Sequence, residues 1–364
     1  MIIGDIIDFL EDSFPLSLQE DYDNSGLLCG RKDWEATSVL VCLDAIESVI
    51  DEAISLGSNL IIAHHPIIFK GLKKITGSNY VERVIEKCIE NKIALYAIHT
   101  NLDNHFQGVN RAIANRIGLN DLRILSPMQN SLNKLVVFVP KDAIDQLDRA
   151  IFDAGGGKIG NYSECHFRTS GTGTFRPNEL ANPTIGENNN RSQVEEFRVE
   201  YLVSRNKISD VLIAMFRAHP YEEVAYEIYP IENVNQEEGA GMIGILNEPM
   251  SELEFLKLIK EKFNCGIIRH TALLGKNISR VAICGGAGSF LLKKAIQQKA
   301  DIFITADFKY HEFFDAENKV IIADIGHFES EQFTSNLIAD KLKEKFTNFA
   351  IRLTKINTNP INYF

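Results

Sequence analysis

The sequence lacks several features that would assign it to a common class of protein. It has no C-x-x-C pair, and its cysteines are scattered, at Cys29, Cys42, Cys88, Cys165, Cys265 and Cys284. No apolar run approaches the roughly 18 residues of a membrane-spanning helix. The opening MIIGDIIDFLEDSF carries acids where an export signal needs bases. Basic residues are outnumbered, with 38 Lys and Arg against 49 Asp and Glu and a net charge of −11. We therefore expect a cytoplasmic protein with reduced thiols, no membrane span and no nucleic-acid partner.

Both ends of the chain alternate apolar strands with amphipathic helices. Near the start, strand patterns at 37–45, 59–66 and 93–103 alternate with helix patterns at 48–57, 78–92 and 109–119. After about residue 236 the alternation returns, with strands at 280–286, 301–307 and 319–327 and a long helix at 330–346. Continuous apolar strands between such helices indicate an α/β fold, with parallel-rich sheets covered by helices on both faces.

The middle of the chain follows a different order. Strand patterns at 134–140 and 160–171 flank one helix, and strands at 195–203 and 224–231 flank a second helix at 207–218. Two strand-helix-strand halves are typical of a ferredoxin-like β-α-β-β-α-β unit. We therefore predict a split α/β core domain, 1–126 and 236–364, with an inserted ferredoxin-like α+β domain over 127–235.

Histidines and carboxylates collect where the predicted strands end. The stretch NLIIAHHPIIF closes a buried strand with His64 and His65, and HTNLD places Asp103 four residues after His99. GHFESE places His327 and Glu331 four residues apart, which is one helical face if a helix begins there. In open α/β sheets ligands bind beyond the carboxyl ends of the strands, so these groups are candidates for a single site.

Imidazole and carboxylate ligands suit Zn, Fe, Mn or Ni, and the absence of thiolate argues against a structural zinc finger. The candidate ligands are His64, His65, Asp103, His327 and Glu331. Five ligands are too many for one catalytic ion with an open position, but they suit two divalent ions about 3.5–4 Å apart. The alternative is a set of independent structural histidines, each hydrogen-bonded at its own strand end.

Four further residues are candidates for the surroundings of this site: His99, Asp307, His311 and Asp44. His99 could orient a ligand or be a buried structural histidine. Asp307 and His311 could line the cavity or form a surface pair, and Asp44 could be a strand-end cap. Gly285, Gly286 and Gly288 could hold a phosphate at a helix start, although a tight strand-to-helix turn explains them equally well.

Several motifs together resemble the Nif-three-like dinuclear-metal family, whose members are known as GTP cyclohydrolase I type II homologues. They are YDNSGLLCG at 22–30, HHP at 64–66, HTNLD at 99–103, GGAG at 285–288, TADFKYHE at 305–312 and GHFESE at 326–331. AHPYEEVAYEIYP at 218–230 resembles the CutA- and PII-like insert of the longer members. Two departures concern the pocket wall: Tyr22 stands where the family more often has Trp, and Ala306 where Gly is usual.

The resemblance implies that the five candidates are the metal ligands and that the chain forms a toroidal homohexamer. It also implies GTP or a similar small nucleotide-like or phosphate-bearing molecule as the substrate of a metal-dependent hydrolase. We expect two divalent ions per chain, with zinc first and iron, manganese or nickel as alternatives. Two other functions stay open: a non-catalytic hexamer that handles metal or regulates, and a protein-binding scaffold with structural metal sites.

Overall fold

The computed structural model describes all 364 residues. Its strands are β1 (Gly26–Cys29), β2 (Val39–Cys42), β3 (Leu60–Ala63), β4 (Ala94–Ala97), β5 (Leu119–Pro127), β6 (Leu132–Pro140), β7 (His166–Phe175), β8 (Ser192–Ser204), β9 (Tyr226–Ile231), β10 (Gly239–Ser251), β11 (Arg269–His270), β12 (Asn277–Ala287), β13 (Ile302–Ala306), β14 (Ile321–Asp324) and β15 (Ile351–Leu353). Its helices are α1 (Ile3–Ser13), α2 (Glu47–Leu56), α3 (Tyr80–Glu90), α4 (Thr100–Asp103), α5 (Val109–Ile117), α6 (Ile144–Asp153), α7 (Ile208–Ala218), α8 (Glu252–Lys262), α9 (Leu292–Gln297), α10 (His327–Glu331) and α11 (Thr334–Lys345). None of these helices is long and apolar enough to cross a membrane.

The chain divides into two compact units, and the larger one, Met1–Pro127 with Gln236–Phe364, contains two mixed sheets. The first sheet has the order β1-β4-β3-β2-β15, in which only the β1–β4 pair is antiparallel. The second has the order β11-β14-β13-β12-β10-β5, with β12, β13 and β14 parallel. Each sheet combines strands from before and after the smaller unit, so both stretches of chain are needed to complete it.

Both faces of the central strands are buried, which explains their continuous apolar runs. In β2, Val39 and Val41 face a core shared by the two sheets and by α1, α5, α8 and α11, whereas Leu40 and Cys42 face α2 and α3. The second sheet behaves in the same way, since the other face of β13 packs against α9. A strand alternates its side chains between two faces, so burial on both requires apolar residues throughout.

The smaller unit, Met128–Asn235, has a single antiparallel sheet of order β7-β8-β6-β9. Along the chain its elements run strand, helix, strand, strand, helix, strand. Leu135, Val137 and Val139 of β6 alternate onto one face, where they pack with α6 and α7. The two-residue period of the strand therefore assigns one face of this sheet to an apolar core.

Two predicted elements differ from the sequence patterns, one by ending early and one by being divided. The strand predicted at 93–103 stops at Ala97, because the His99 amide donates to the Asn101 side chain and the Thr100 amide to Asp23. Short polar side chains here replace the strand ladder as hydrogen-bond partners, and α4 follows. The long helix predicted at 330–346 is two helices, α10 and α11.

Candidate metal centre

The larger unit brings the ends of three strands together at one cavity. His64 and His65 directly follow β3, and Pro66 comes next. Asp103 closes α4, just beyond β4, while α10 follows β14 of the second sheet. The site thus needs both sheets, and all five sequence-predicted ligand residues lie within it.

His64 is fully buried, and its environment selects one tautomer. Its Nδ1 lies 2.8 Å from the carbonyl oxygen of Ile98, which can only accept a hydrogen bond. Nδ1 must therefore carry a proton, and Nε2 is the ring nitrogen that faces the cavity. Nε2 has no hydrogen-bond partner, and neither has the buried Oδ1 of Asp103, 3.7 Å away.

His65 and His327 are held in the same manner by carboxylates. The Nδ1 of His65 donates to Asp44 at 2.7 Å, and the Nδ1 of His327 donates to Asp307 at 2.6 Å. Both Nε2 atoms then point at the same Glu331 oxygen, Oε2, each at 3.0 Å. A carboxylate behind each imidazole fixes its orientation and raises its basicity as a ligand.

Glu331 lies between two groups of donors. Its Oε2, with His65 and His327, forms one converging set, and its Oε1, with His64 and Asp103, forms a second. Glu331 is almost completely buried at 3% exposure, so its two oxygens have no solvent alternative. Each group could hold a metal ion.

His99 belongs to a third converging group, with His64 and His65. Its Nδ1 donates to the buried carboxylate of Asp23 at 2.8 Å, so its Nε2 faces the other imidazoles. Asp23 also accepts bonds from Thr100 and Ser25. Burial raises the pKa of Asp23, but these hydrogen bonds and the charge of His99 outweigh it and lower the pKa below its usual range.

The protonation of the ion-free cluster shows how strongly it favours positive charge. Burial lowers the pKa of His65 and His327, yet the neighbouring carboxylates outweigh it and raise these pKa values to about 10 and about 11. The same pairs hold the pKa of Glu331 well below its usual range, despite its burial. Burial and the charge of Glu331 raise the pKa of Asp103, although His64 opposes this. The carboxylates of the cluster therefore favour positive charge at the positions that cations could take.

The spacing of the donor atoms fits ligands that share one divalent metal ion. Two ligand bonds of about 2.0–2.2 Å at a tetrahedral angle place their donor atoms roughly 3.4 Å apart. His64 Nε2 and Asp103 Oδ1 are 3.7 Å apart, and His65 and His327 are 3.3 Å apart between their Nε2 atoms. The first separation is too long for a hydrogen bond and short enough for two ligands of one ion.

The glycines near the end of β12, Gly285 and Gly286, allow the second sheet to approach this cluster. A Cβ atom on Gly286 would lie 2.4 Å from Glu331 Oε1, and the residue has a φ of +59°. The amide of Gly286 donates to the Ser330 hydroxyl, and that of Gly285 donates to Asn110. These amides already have acceptors, which favours the structural-turn interpretation of the glycines over the phosphate site.

Of the four residues predicted to surround the site, two line the cavity, one contacts a candidate ligand and one is exposed elsewhere. Asp44 and His99 line the cavity, and Asp307 contacts His327 from behind. His311 is exposed on the turn Tyr310–Ala316, where its ring lies against Tyr310 and Phe314, and it is not among the lining residues.

The sequence patterns did not reveal the contribution of the last residues of the chain. Asn359, Pro360 and Ile361 line the cavity, and the Thr358 hydroxyl donates to Asp44 at 2.6 Å, behind His65. No local motif marks these residues, because their role depends on where the chain returns after β15.

Two mixed sheets with a histidine–carboxylate cluster at their strand ends define an α/β protein that could hold metal. Comparison with known proteins adds the family. The model of the family Duf34/NIF3 (NGG1p interacting factor 3) matches residues 1–360. The chain therefore belongs to the Duf34/NIF3 family.

Relatives match over nearly the whole length of the chain. The GTP cyclohydrolase 1 type 2 homolog of Halalkalibacterium halodurans is 40% identical over 364 residues, covering 98% of each chain. The protein of the same name from Bacillus subtilis is 37% identical, covering 98% of this chain and 97% of its own. The crystal structure of a Bacillus cereus protein related to NIF3 superposes with a TM-score of 0.89 at 37% identity, covering 100% of this chain and 99% of that one.

Proposed function

We propose that the chain is a metal-dependent hydrolase with a dinuclear centre, acting on a small nucleotide-like molecule. The observation that carries the proposal is the division of Glu331 between two donor groups, one with His65 and His327 and one with His64 and Asp103. A carboxylate with each oxygen in a different group is suited to bridging two ions. When bound, a pair of divalent ions supplies Lewis acidity and activates water for hydrolysis near neutral pH.

The protein's own residues would position the ligands and shape the cavity. Asp44 and Asp307 orient two of the imidazoles, and Asp23 orients His99 with its Nε2 toward the cluster. His99 is placed to hold or transfer a proton, since its Nδ1 is hydrogen-bonded to Asp23 and its ring lines the cavity. The names of the relatives, GTP cyclohydrolase 1 type 2 homolog, support a nucleotide-like substrate.

Elemental analysis and turnover together test this proposal. Protein purified without a metal-affinity tag should contain two divalent ions per chain, with zinc the first expectation and iron, manganese or nickel the alternatives. It should also hydrolyse a member of a nucleotide and nucleoside panel, and the His65→Ala/Asp103→Ala double variant should do neither. Turnover that persists after the metal has been removed would contradict the proposal. Two ions without turnover of any panel member would favour a metal-handling or regulatory assembly.

We also propose that the smaller unit is an inserted ferredoxin-like domain of the CutA and PII type and that the chain forms a homohexamer. The β-α-β-β-α-β order of the smaller unit supports the first statement. The second rests on the resemblance to the family, and sedimentation equilibrium tests it: a mass near six chains of 40.9 kDa is expected, and a monomer or dimer would contradict it.

A further inference from the structure

We infer that the cavity binds a planar ring that is uncharged or cationic, such as a nucleobase or nucleoside, and discriminates against polyphosphates. This inference rests on the proposed function, because it assigns a class of substrate to the same metal centre. It departs from the triphosphate that the relatives' names indicate. Three observations carry it: the size of the cavity, the aromatic side chains around it and the charges that line it.

The cavity has a volume of about 470 Å³. Ligand pockets of proteins generally measure about 300–1,000 Å³, so this one suits a ligand of nucleoside size. His65, His327 and Glu331 are among its lining residues, which means that a molecule held there would reach the candidate metal ligands.

Aromatic side chains line this cavity and are otherwise poorly covered. Tyr22, Phe69 and Phe290 all line it, and they are 70%, 53% and 65% exposed. Phe69 also lies edge-on to His99, with 5.9 Å between the ring centroids, so it lies next to the cluster itself. Exposed aromatic faces beside a polar reactive centre are suited to stacking on a planar ring, which tolerates any base.

The charges of the lining residues oppose a polyphosphate. Four carboxylates line the cavity, those of Glu20, Asp44, Asp103 and Glu331, and none of the lining residues is Lys or Arg. Two divalent ions would bring four positive charges, and these four carboxylates would balance them. The additional negative charges of a triphosphate would then have no counterion, whereas phosphate sites normally supply arginine, lysine or free helix-terminal amides.

The two glycine amides near the end of β12 do not provide the missing donors. The amides of Gly285 and Gly286 already donate to Asn110 and Ser330. The chain as a whole carries a net charge of −11, which adds to the repulsion of a polyanion. A neutral or cationic ring meets none of these obstacles.

Direct binding to the metal-loaded protein tests the inference independently of turnover. Isothermal titration would compare guanine, guanosine and GTP, and adenosine with ATP, at equal ionic strength. We expect each nucleoside to bind at least about tenfold more tightly than its triphosphate. Phe69→Ala should weaken nucleoside binding about tenfold, and Phe69→Tyr should retain it, because stacking requires only the ring.

A gain-of-function variant examines the charge argument separately. Ile361 lines the cavity and is 52% exposed, so Ile361→Lys places a cation there with little disturbance of the core. It should raise the affinity for GTP about tenfold, with a loss of that gain in high salt, whereas Ile361→Gln should not.

The outcomes separate this inference from the hydrolase proposal. Tight nucleoside binding without turnover would leave the inference standing and contradict the hydrolase. Equal or tighter binding of GTP by the unaltered protein would overturn the inference even if hydrolysis occurred. Failure of every ring compound to bind would overturn it as well. So would a Phe69→Ala variant that changes the mass of the assembly but not the affinity, since the aromatic side chains would then be a subunit contact.

Discussion

Substitution of Glu331 by Gln is the sharpest test of the centre, because one side chain contacts both donor groups. Its Oε2 lies 3.0 Å from the Nε2 atoms of His65 and His327, and its Oε1 lies 3.9 Å from the Nε2 of His64. Glu331→Gln keeps the size of the side chain but removes the charge, and its amide nitrogen cannot coordinate a cation. Both ions should therefore be lost or greatly weakened together.

The expected magnitude follows from linkage between binding and folding. One ion present at 100 times its Kd stabilises the folded state by about 2.7 kcal/mol, so two independent ions contribute about 5.4 kcal/mol. A unit of roughly 250 residues gains about 2–4 °C in Tm per kcal/mol, and the larger unit that contains the site is of that size. Metal should thus raise the Tm of the unaltered protein by about 11–22 °C, and that of Glu331→Gln by no more than a few degrees.

The assay is thermal unfolding of chelator-treated protein with and without added metal, together with elemental analysis of each sample. The metal-dependent shift is compared within each variant, so that any loss of intrinsic stability in Glu331→Gln cancels. Glu329→Gln is the matched control, because Glu329 is a buried carboxylate of the same short helix that does not belong to the converging groups. A full metal-dependent shift in Glu331→Gln would refute the bridging role.

Three further predictions concern the surroundings of the cluster. Asp44→Ala removes the acceptor behind His65 and should weaken metal affinity about 10–100-fold, as measured by competition with a chelator; unchanged affinity would contradict its orienting role. Gly286→Ala would place Cβ against Glu331 and should abolish metal binding, whereas Gly275→Ala, at a similar φ with open space around it, should cost only backbone strain; equal metal loss in both would refute the steric account. Burial lowers the pKa of His65, but the carboxylates raise it to about 10, so metal must displace protons from the cluster. Affinity should therefore rise from pH 6 to pH 8, with proton release on calorimetric titration in two buffers, and pH-independent affinity would contradict this.

The sign of the stability change in the ion-free protein follows from the same raised pKa values. The carboxylate pairs of His65 and His327 stabilise the fold fully below the ordinary histidine pKa, about 6.5. That stabilisation is lost as the pH rises through about 10 and about 11, where the two rings lose their protons. At alkaline pH a bound cation would replace the protons. We therefore expect the metal-loaded form to keep its stability over the same pH range.

The local pattern of the sequence was sufficient to identify the candidate ligand residues and most of the helices and strands. Apolar strands buried on both faces, such as β2 and β3, need apolar residues at every position, and this makes them visible without a structure. The candidate ligands interrupt or directly follow such runs, where burial of a charged group without a partner is unfavourable. They are His64, His65, Asp103, His327 and Glu331. His327 and Glu331 also fall on one helical turn, as their spacing indicated.

What only the tertiary structure decided is which of these groups meet and what supports them. The sequence did not separate Asp307, which contacts His327, from His311, which is exposed, because both follow the same strand. The early end of β4 depended on Asp23, and the hydrogen bond behind Asp44 came from Thr358. Such contacts join positions tens to hundreds of residues apart and leave no period in the sequence. The local sequence pattern therefore identified the candidate ligands, whereas the balance of charge in the cavity could be determined only once the chain had folded.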